Sequence, residues 1–156
     1  IARIEAWEKT HNDECRESIM AISMSETDIT RLMQWPYANI CSDGSSSGRH
    51  PRGYGAFTRV LSKYTREEKA LTLAQAIYKM TGLAATNLDI KKRGFIRTGY
   101  YADIVLFNPE TVKDLATVAD PHALSEGILQ VWVNGQTVYK DKKSSGLFPG
   151  SLIKRN

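Results

Sequence analysis

The sequence predicts an α/β fold, on three observations. Two short apolar runs, Ser18 to Met24 and Tyr37 to Cys41, bracket a helical stripe; a second helical region lies between Phe57 and Gly82; and from about Gly94 the pattern turns to β. Strand, helix, strand at this spacing argues for parallel strands covered on both faces, in a sheet or a barrel. A chain of 156 residues that is 42% hydrophobic and 24% charged can bury a real core, so disordered and collagen-like classes drop out.

The elements follow in order. The chain starts at Ile1 without a methionine, inside a helical pattern (Ile1, Ile4), as the rear part of a longer protein would. After the first apolar run, "SETD" offers Ser25 as N-cap, and Ile29, Leu32 and Met33 form a stripe that Trp35-Pro36 ends. The run Tyr37 to Cys41 then opens into "SDGSSSGRHPRGYG", where Pro51, Gly53 and Gly55 favour loop. Phe57, Val60, Leu61 and Tyr64 return to helical spacing. Thr72 and Gln75 form a capping-box pattern, Leu73, Ala76, Ile77 and Met80 the stripe behind it, and Gly82 the stop at which the helical region ends. Met24, Met33 and Met80 sit in apolar stripes and read as core.

In the β region, "GFIRTGYYADIVLFNPET" gives a Thr98-Gly99 turn and a strand from Ile104 to Phe107, closed by Asn108-Pro109. "GILQVWVNGQTVYKD" is a hairpin about Asn134-Gly135. The change of composition divides the chain near residue 90, into parts 1–90 and 91–156.

The net charge of +4 gathers at Lys91-Lys92-Arg93, Lys140 to Lys143 and Lys154-Arg155, beside turn residues, so these read as solvated loops and a basic tail. With no zinc-finger or RNA-binding pattern, no nucleic-acid partner is expected. Cys15 and Cys41 have no CxxC partner and read as free thiols of a reducing compartment, with one disulfide as the alternative. No run approaches the roughly 18 apolar residues of a membrane span, and no signal peptide opens the chain, so a cytoplasmic protein with no membrane partner is expected.

Candidate chemistry concentrates in the loop after Cys41. In parallel α/β folds, functional groups collect just past the C-terminal ends of strands, where side chains point into a shared mouth. Asp43 stands at such a place; it suits proton transfer or metal ligation, and equally an Asx-type turn within "SDGS". Arg52, nine residues on, carries a planar fork suited to a carboxylate, and His50 is a weaker candidate beside it. A rival pattern is Gly44-Ser45-Ser46-Ser47-Gly48, with Ser46 as nucleophile and Asp103, Asp114 or Asp120 before His122. A nucleophile elbow needs a helix directly after the serine, which "RHPRGYG" does not favour; a phosphate loop would need a following Gly-Lys-Ser/Thr. His11 and His122 otherwise read as surface residues.

"SDG" followed by "HPRGYGAFTRVLSKYTRE", then "LTLAQAIYKMTGLAATNLDIKKRGFIRTGYYADIVLFNPETVKD", "GILQVWVNGQTV" and "GLFPG", resembles the C-terminal region of N-acyl-D-amino-acid deacylases (D-aminoacylases) of the amidohydrolase superfamily. The similarity runs from about Ser23 to Leu152. "GYYADIVLF" alone points only to the superfamily, whereas "SDG" joined to "HPR-x-YG-x-F-x-RVL" is far more specific.

The resemblance implies a zinc-dependent hydrolase of N-acyl-D-amino acids. Residues 1–90 would be the last strands and helices of a (β/α)8 barrel, and 91–156 a segment of a small β-sandwich. Tyr37 to Cys41 would be the last barrel strand and Ser18 to Met24 the one before it. Asp43 matches the acid that takes a proton from the zinc-activated water and delivers it to the leaving amine, with possible contact to the metal. Arg52 matches the residue that binds the substrate α-carboxylate, with His50 beside it. The family's His-x-His motif and its ligating cysteine and histidines have no counterpart in this chain, and Cys41 does not replace that cysteine. The missing N-terminal part of the barrel is therefore an implied partner. The alternatives are another amidohydrolase such as a dihydroorotase- or hydantoinase-like enzyme, which the "HPR" loop disfavours, a non-catalytic fragment or assembly module, and a serine hydrolase using Ser46.

Overall fold

The computed structural model describes residues 24–44 and 48–153. The expected start helix at Ile1, almost all of the run Ser18 to Met24, and His11, Cys15, Ser46 and Lys154-Arg155 lie outside the described residues. Helices α1 (Glu26–Gln34) and α2 (Arg52–Arg59), a π-helical segment (Val60–Glu67), then α3 (Leu73–Met80) and α4 (Gly82–Asn87) precede four strands. These are β1 (Ile104–Phe107), β2 (Ile128–Val133), β3 (Gln136–Lys140) and β4 (Lys143–Ser144), in the order β1-β2-β3-β4. Mixed helix and strand bears out the α/β reading, although every strand pair is antiparallel. Among the described residues no helix is long and apolar enough to cross a membrane.

Local signals hold at both well-capped helices. Ser25 is extended and its Oγ accepts from the Asp28 N–H at 3.2 Å, starting α1. Trp35 ends it with ψ 124°, the extended geometry that a following proline imposes. At α3 the Gln75 N–H donates to Thr72 Oγ1 at 3.2 Å and the Thr72 N–H donates to Gln75 Oε1 at 2.9 Å, a reciprocal capping box.

Four expectations are corrected. Pro51, Gly53 and Gly55 do not keep the chain in a loop: α2 starts at Arg52, because Pro51 already has helical angles (φ −53°, ψ −27°). Gly55 earns its place by close approach, since a Cβ there would lie 3.1 Å from Asp114 Cβ. Gly82 does not end the helical region; the break falls at Thr81 (φ −128°, ψ −84°) and α4 begins at Gly82, where a Cβ would meet the Phe95 ring at 2.7 Å. Met24 is exposed, while Met33 and Met80 pack on the core as expected. Tyr37 to Cys41 is not a strand, because a strand needs a neighbour and the described residues supply none. Its recorded anchor is the Ile40 N–H, which donates to Lys79 O at 3.1 Å.

Lys79 reinforces that anchor. Its ammonium is buried and donates to Trp35 O at 2.6 Å and Ala38 O at 3.1 Å, tying the segment after α1 to α3. Burial pushes its pKa down, and the two carbonyl acceptors satisfy the charge.

The β hairpin forms as its Asn-Gly turn requires, with Asn134 at φ 48° and Gly135 at φ 79°, the pair of positive angles that matches strand twist. Arg93 departs from the solvated-cluster reading. It pairs with Asp103, donates to Asn134 Oδ1 at 2.8 Å and stacks 4.2 Å above the Tyr101 ring centroid. Asp103 Oδ1 in turn accepts from the Asn134 N–H at 2.8 Å. The buried core consists of Val60, Leu61, Tyr64, Leu71, Ala76 and Val112, with Met33, Ile40, Phe107 and Ile128 packed against it.

Replacing Thr72 by Ala removes half of the capping box, and an N-cap of this kind contributes about 1 kcal/mol. Urea unfolding of Thr72→Ala is expected to show a lower midpoint with an unchanged m-value; an unchanged midpoint would refute a stabilising cap.

Candidate active site

Asp43 and Arg52 are brought together. Arg52 Nη2 lies 2.8 Å from Asp43 Oδ2, and Arg52 Nε donates to Asp43 O at 3.1 Å. Just before Asp43 in the chain direction, Ser42 Oγ accepts the Gly44 N–H at 3.2 Å, closing a turn across Asp43. Asp43 itself sits at φ 46°, a left-handed conformation that Asp tolerates better than most residues. Both side chains are exposed, at 76% for Asp43 and 47% for Arg52, so the pair gains at most about 1 kcal/mol from Coulomb attraction. His50 stands at the start of α2, its Nδ1 accepting the Arg52 N–H at 3.1 Å. In the neutral ring this puts the proton on Nε2, leaving a donor on the other edge.

Beside Arg52 and His50 opens a cleft of about 350 Å³, floored by Ile40, Val60 and Tyr64 and bounded by Arg59 and Asp114. Sequence reasoning missed this second layer. Asp114 Oδ2 accepts from Arg59 Nη1 at 3.1 Å and its Oδ1 from Ser62 Oγ at 3.2 Å. Burial works against the Arg59 charge most strongly, but the bond to Asp114, the Asp114 charge and Tyr64 together outweigh it, so its pKa rises. On the far side Tyr64 donates to Glu26 Oε2 at 2.9 Å and Lys63 Nζ lies 2.7 Å from Glu26 Oε1. Burial, aided by Glu26, pushes the Tyr64 phenol up. The Lys63 and Tyr64 bonds hold Glu26 below the usual carboxylate value. "RVL" after a helical start was the available signal for Arg59, but nothing local pairs it with Asp114, 55 residues away.

The serine-hydrolase constellation does not assemble among the described residues. Asp114 is held by Arg59 and Ser62, Asp103 by Arg93 and the Asn134 N–H, and no bond joins Asp103, Asp114 or Asp120 to His122. Gly48 to Pro51 are not helical, so no helix directly follows Ser46. His122 is exposed, as expected, with Nε2 3.1 Å from Gly48 O and its ring centroid 5.0 Å from that of Tyr54. Cys41 is an exposed thiol. Among the described residues no three His, Cys, Asp or Glu side chains converge as a metal site.

Comparison with known proteins assigns the class. The Amidohydrolase family matches residues 35–139, and the chain belongs to that family. Within it, the chain is 42% identical over 132 residues to the N-acyl-D-aspartate deacylase of Alcaligenes xylosoxydans xylosoxydans, covering 83% of this chain and 26% of that protein. To the N-acyl-D-glutamate deacylase of the same organism it is 38% identical over 144 residues, covering 91% and 29%. The chain thus spans well under a third of the length of these curated relatives. Among solved structures, a D-aminoacylase that defines a novel subset of amidohydrolases superposes with TM-score 0.76 at 41% identity, over 80% of this chain and 27% of that one. An N-acyl-D-glutamate deacylase from Bordetella bronchiseptica, complexed with zinc and a phosphonate mimic of the tetrahedral intermediate, gives 0.77 at 41% identity, over 85% and 28%.

The lowered pKa of Glu26 makes a pH prediction. A carboxylate bound more tightly as an anion when folded adds stability above its usual value of 4.5, and that contribution is lost as pH falls through the lower folded value. Glu26 is 60% exposed, so the effect is below about 1 kcal/mol. Glu26→Gln is expected to flatten the acid limb of stability against pH, measured by urea midpoints; an unaltered limb would remove Glu26 from the network.

Proposed function

We propose that this chain is the C-terminal part of an N-acyl-D-amino-acid deacylase that hydrolyses the substrate amide to a D-amino acid and a carboxylate. Residues 1–90 contribute the last strands and helices of the barrel, and 91–156 a segment of its β-sandwich. The observation that carries the reading is the junction of Asp43 and Arg52 at two points, 2.8 Å and 3.1 Å, on one loop beside the cleft. An acid and a carboxylate-binding fork are then presented to one small molecule.

In the reaction, Asp43 accepts a proton from the attacking water at a carboxylate oxygen as the water oxygen bonds to the amide carbon. It returns that proton to the nitrogen as the C–N bond breaks. Arg52 binds the α-carboxylate through its guanidinium and so orients the α-carbon; a carboxylate already rests against Nη2, that of Asp43 itself. His50 offers its Nε2 donor to the same substrate. Among the described residues no ligand set for zinc is complete; its ligands belong to the rest of the barrel, with Asp43 as this chain's contact to it.

The test is the longest reading frame containing this chain, assayed with N-acetyl-D- and N-acetyl-L-amino acids, with and without chelator. Asp43→Asn is expected to lower kcat by about 10²- to 10⁴-fold, the range for loss of a general acid–base group. Arg52→Lys is expected to raise KM by about tenfold or more, because one ammonium cannot reproduce the fork. Full activity in Asp43→Asn, loss on Ser46→Ala with indifference to chelator, or preference for the L-enantiomer would each sink the proposal.

A further inference from the structure

Arg52 stands at a loop-to-helix junction, and that junction is gripped from outside by one short segment of the β region. His122 Nε2 lies 3.1 Å from Gly48 O. A carbonyl only accepts, so His122 carries its proton on Nε2 and donates it to the loop. Its ring packs on Tyr54, with centroids 5.0 Å apart. Three residues further, Ser125 Oγ donates to Tyr54 O at 3.1 Å and shares a bond with Thr58 Oγ1 at 2.7 Å. One segment therefore holds the chain four residues before Arg52 and two residues after it.

That segment is itself fixed. Thr117 and Asp120 exchange bonds, with Thr117 N–H donating to Asp120 O at 2.9 Å and Asp120 N–H to Thr117 Oγ1 at 3.0 Å. Lys113 and Glu126 pair through both backbone bonds, at 3.2 Å and 2.9 Å, where the segment enters β2. Asp114, at its other end, is locked to Arg59 and Ser62. A brace anchored at both ends can transmit position, whereas a free loop cannot.

We infer that His122 and Ser125 are positioning residues that set the guanidinium of Arg52 for its substrate carboxylate, so that the β region tunes substrate capture in the barrel region. The inference rests on Arg52 binding that carboxylate. Neither residue touches substrate; both act through Gly48, Tyr54 and Thr58. Misplacement of a clamp by a fraction of an ångström weakens ground-state capture first, so the effect falls on KM before kcat.

The experiment uses the longest reading frame containing this chain, with His122→Ala, His122→Gln and Ser125→Ala. His122 is exposed, so its variants fold; gentle Ser125→Ala supplies the second, independent arm. With N-acyl-D-amino acids, His122→Ala and Ser125→Ala are each expected to raise KM by about five- to tenfold with kcat within about twofold. His122→Gln, which restores an N–H donor at the position of Nε2, should recover most of the loss. With an N-acyl amine lacking the α-carboxylate, the same variants should leave kcat/KM unchanged. Hydrogen exchange followed by mass spectrometry on the peptide spanning 48–54 is a readout independent of activity, expected to quicken about fivefold in His122→Ala and to return in His122→Gln. Unchanged KM, or equal losses on substrates with and without the carboxylate, overturns the inference. If the wild type shows no deacylation, the proposed function fails and the exchange rates alone decide the brace: unchanged rates overturn it, faster rates uphold it.

Discussion

Val112 is the constraint from which the placement of the site follows. Among the described residues it is the buried apolar side chain that joins the β region to the helical core of Val60, Leu61 and Tyr64. Its surroundings leave little freedom: Arg66 Nη1 donates to Val112 O at 2.7 Å and to Pro109 O at 3.0 Å, and a Cβ on Gly127 would fall 2.4 Å from Val112 Cα. The stretch between β1 and β2 is thus folded back on itself at backbone distance and clasped by Arg66 from the helical part. With Val112 seated, Asp114 comes within reach of Arg59 and Ser62, and Ser125 within reach of Thr58, without any further adjustment.

Two supports then locate the acid and the arginine. Arg52 is carried by α2, which continues without interruption into the π-helical segment whose Val60, Leu61 and Tyr64 are core residues. Asp43 arrives from the other side, along the extended segment that Lys79 and the Ile40 N–H tie to α3. Gly44 and Gly53 meet backbone to backbone: a Cβ on Gly44 would lie 2.6 Å from Gly53 Cα. A side chain on Gly44 would force the backbone beside Arg52 to give way.

What was legible in the sequence was mostly local. Ser25, the Thr72 capping box and the Asn134-Gly135 turn act within four residues of themselves, so the pattern carries the structure. Gly82 and Gly55 misled because their reason is a distant neighbour, Phe95 in one case and Asp114 in the other. Arg93 reads as one more cation in a basic run until Asp103 and Asn134 are brought to it by the hairpin. The π-helical turn has no sequence signature at all, since its i+5 spacing mimics an ordinary helix with a slipped stripe. Asp43 and Arg52 are a mixed case: residue type and position after an apolar run made them candidates, family resemblance gave them roles, and only coordinates show them in contact.

That contact is weak as electrostatics and therefore informative. Two unit charges about 4 Å apart in water attract by about 1 kcal/mol, rising to about 4 kcal/mol at the effective dielectric of a partly covered protein surface. With Asp43 76% exposed, the pair stands at the wet end of that range, and attraction alone would not hold an acid in a left-handed conformation. The backbone that leads to each charge is placed by other contacts: Lys79 and the Ile40 N–H fix the segment before Asp43, and α2 carries Arg52. Excluding water from the pair would strengthen the same charges without moving them. The geometry is set beforehand by apolar and backbone contacts, and the electrostatic strength comes last.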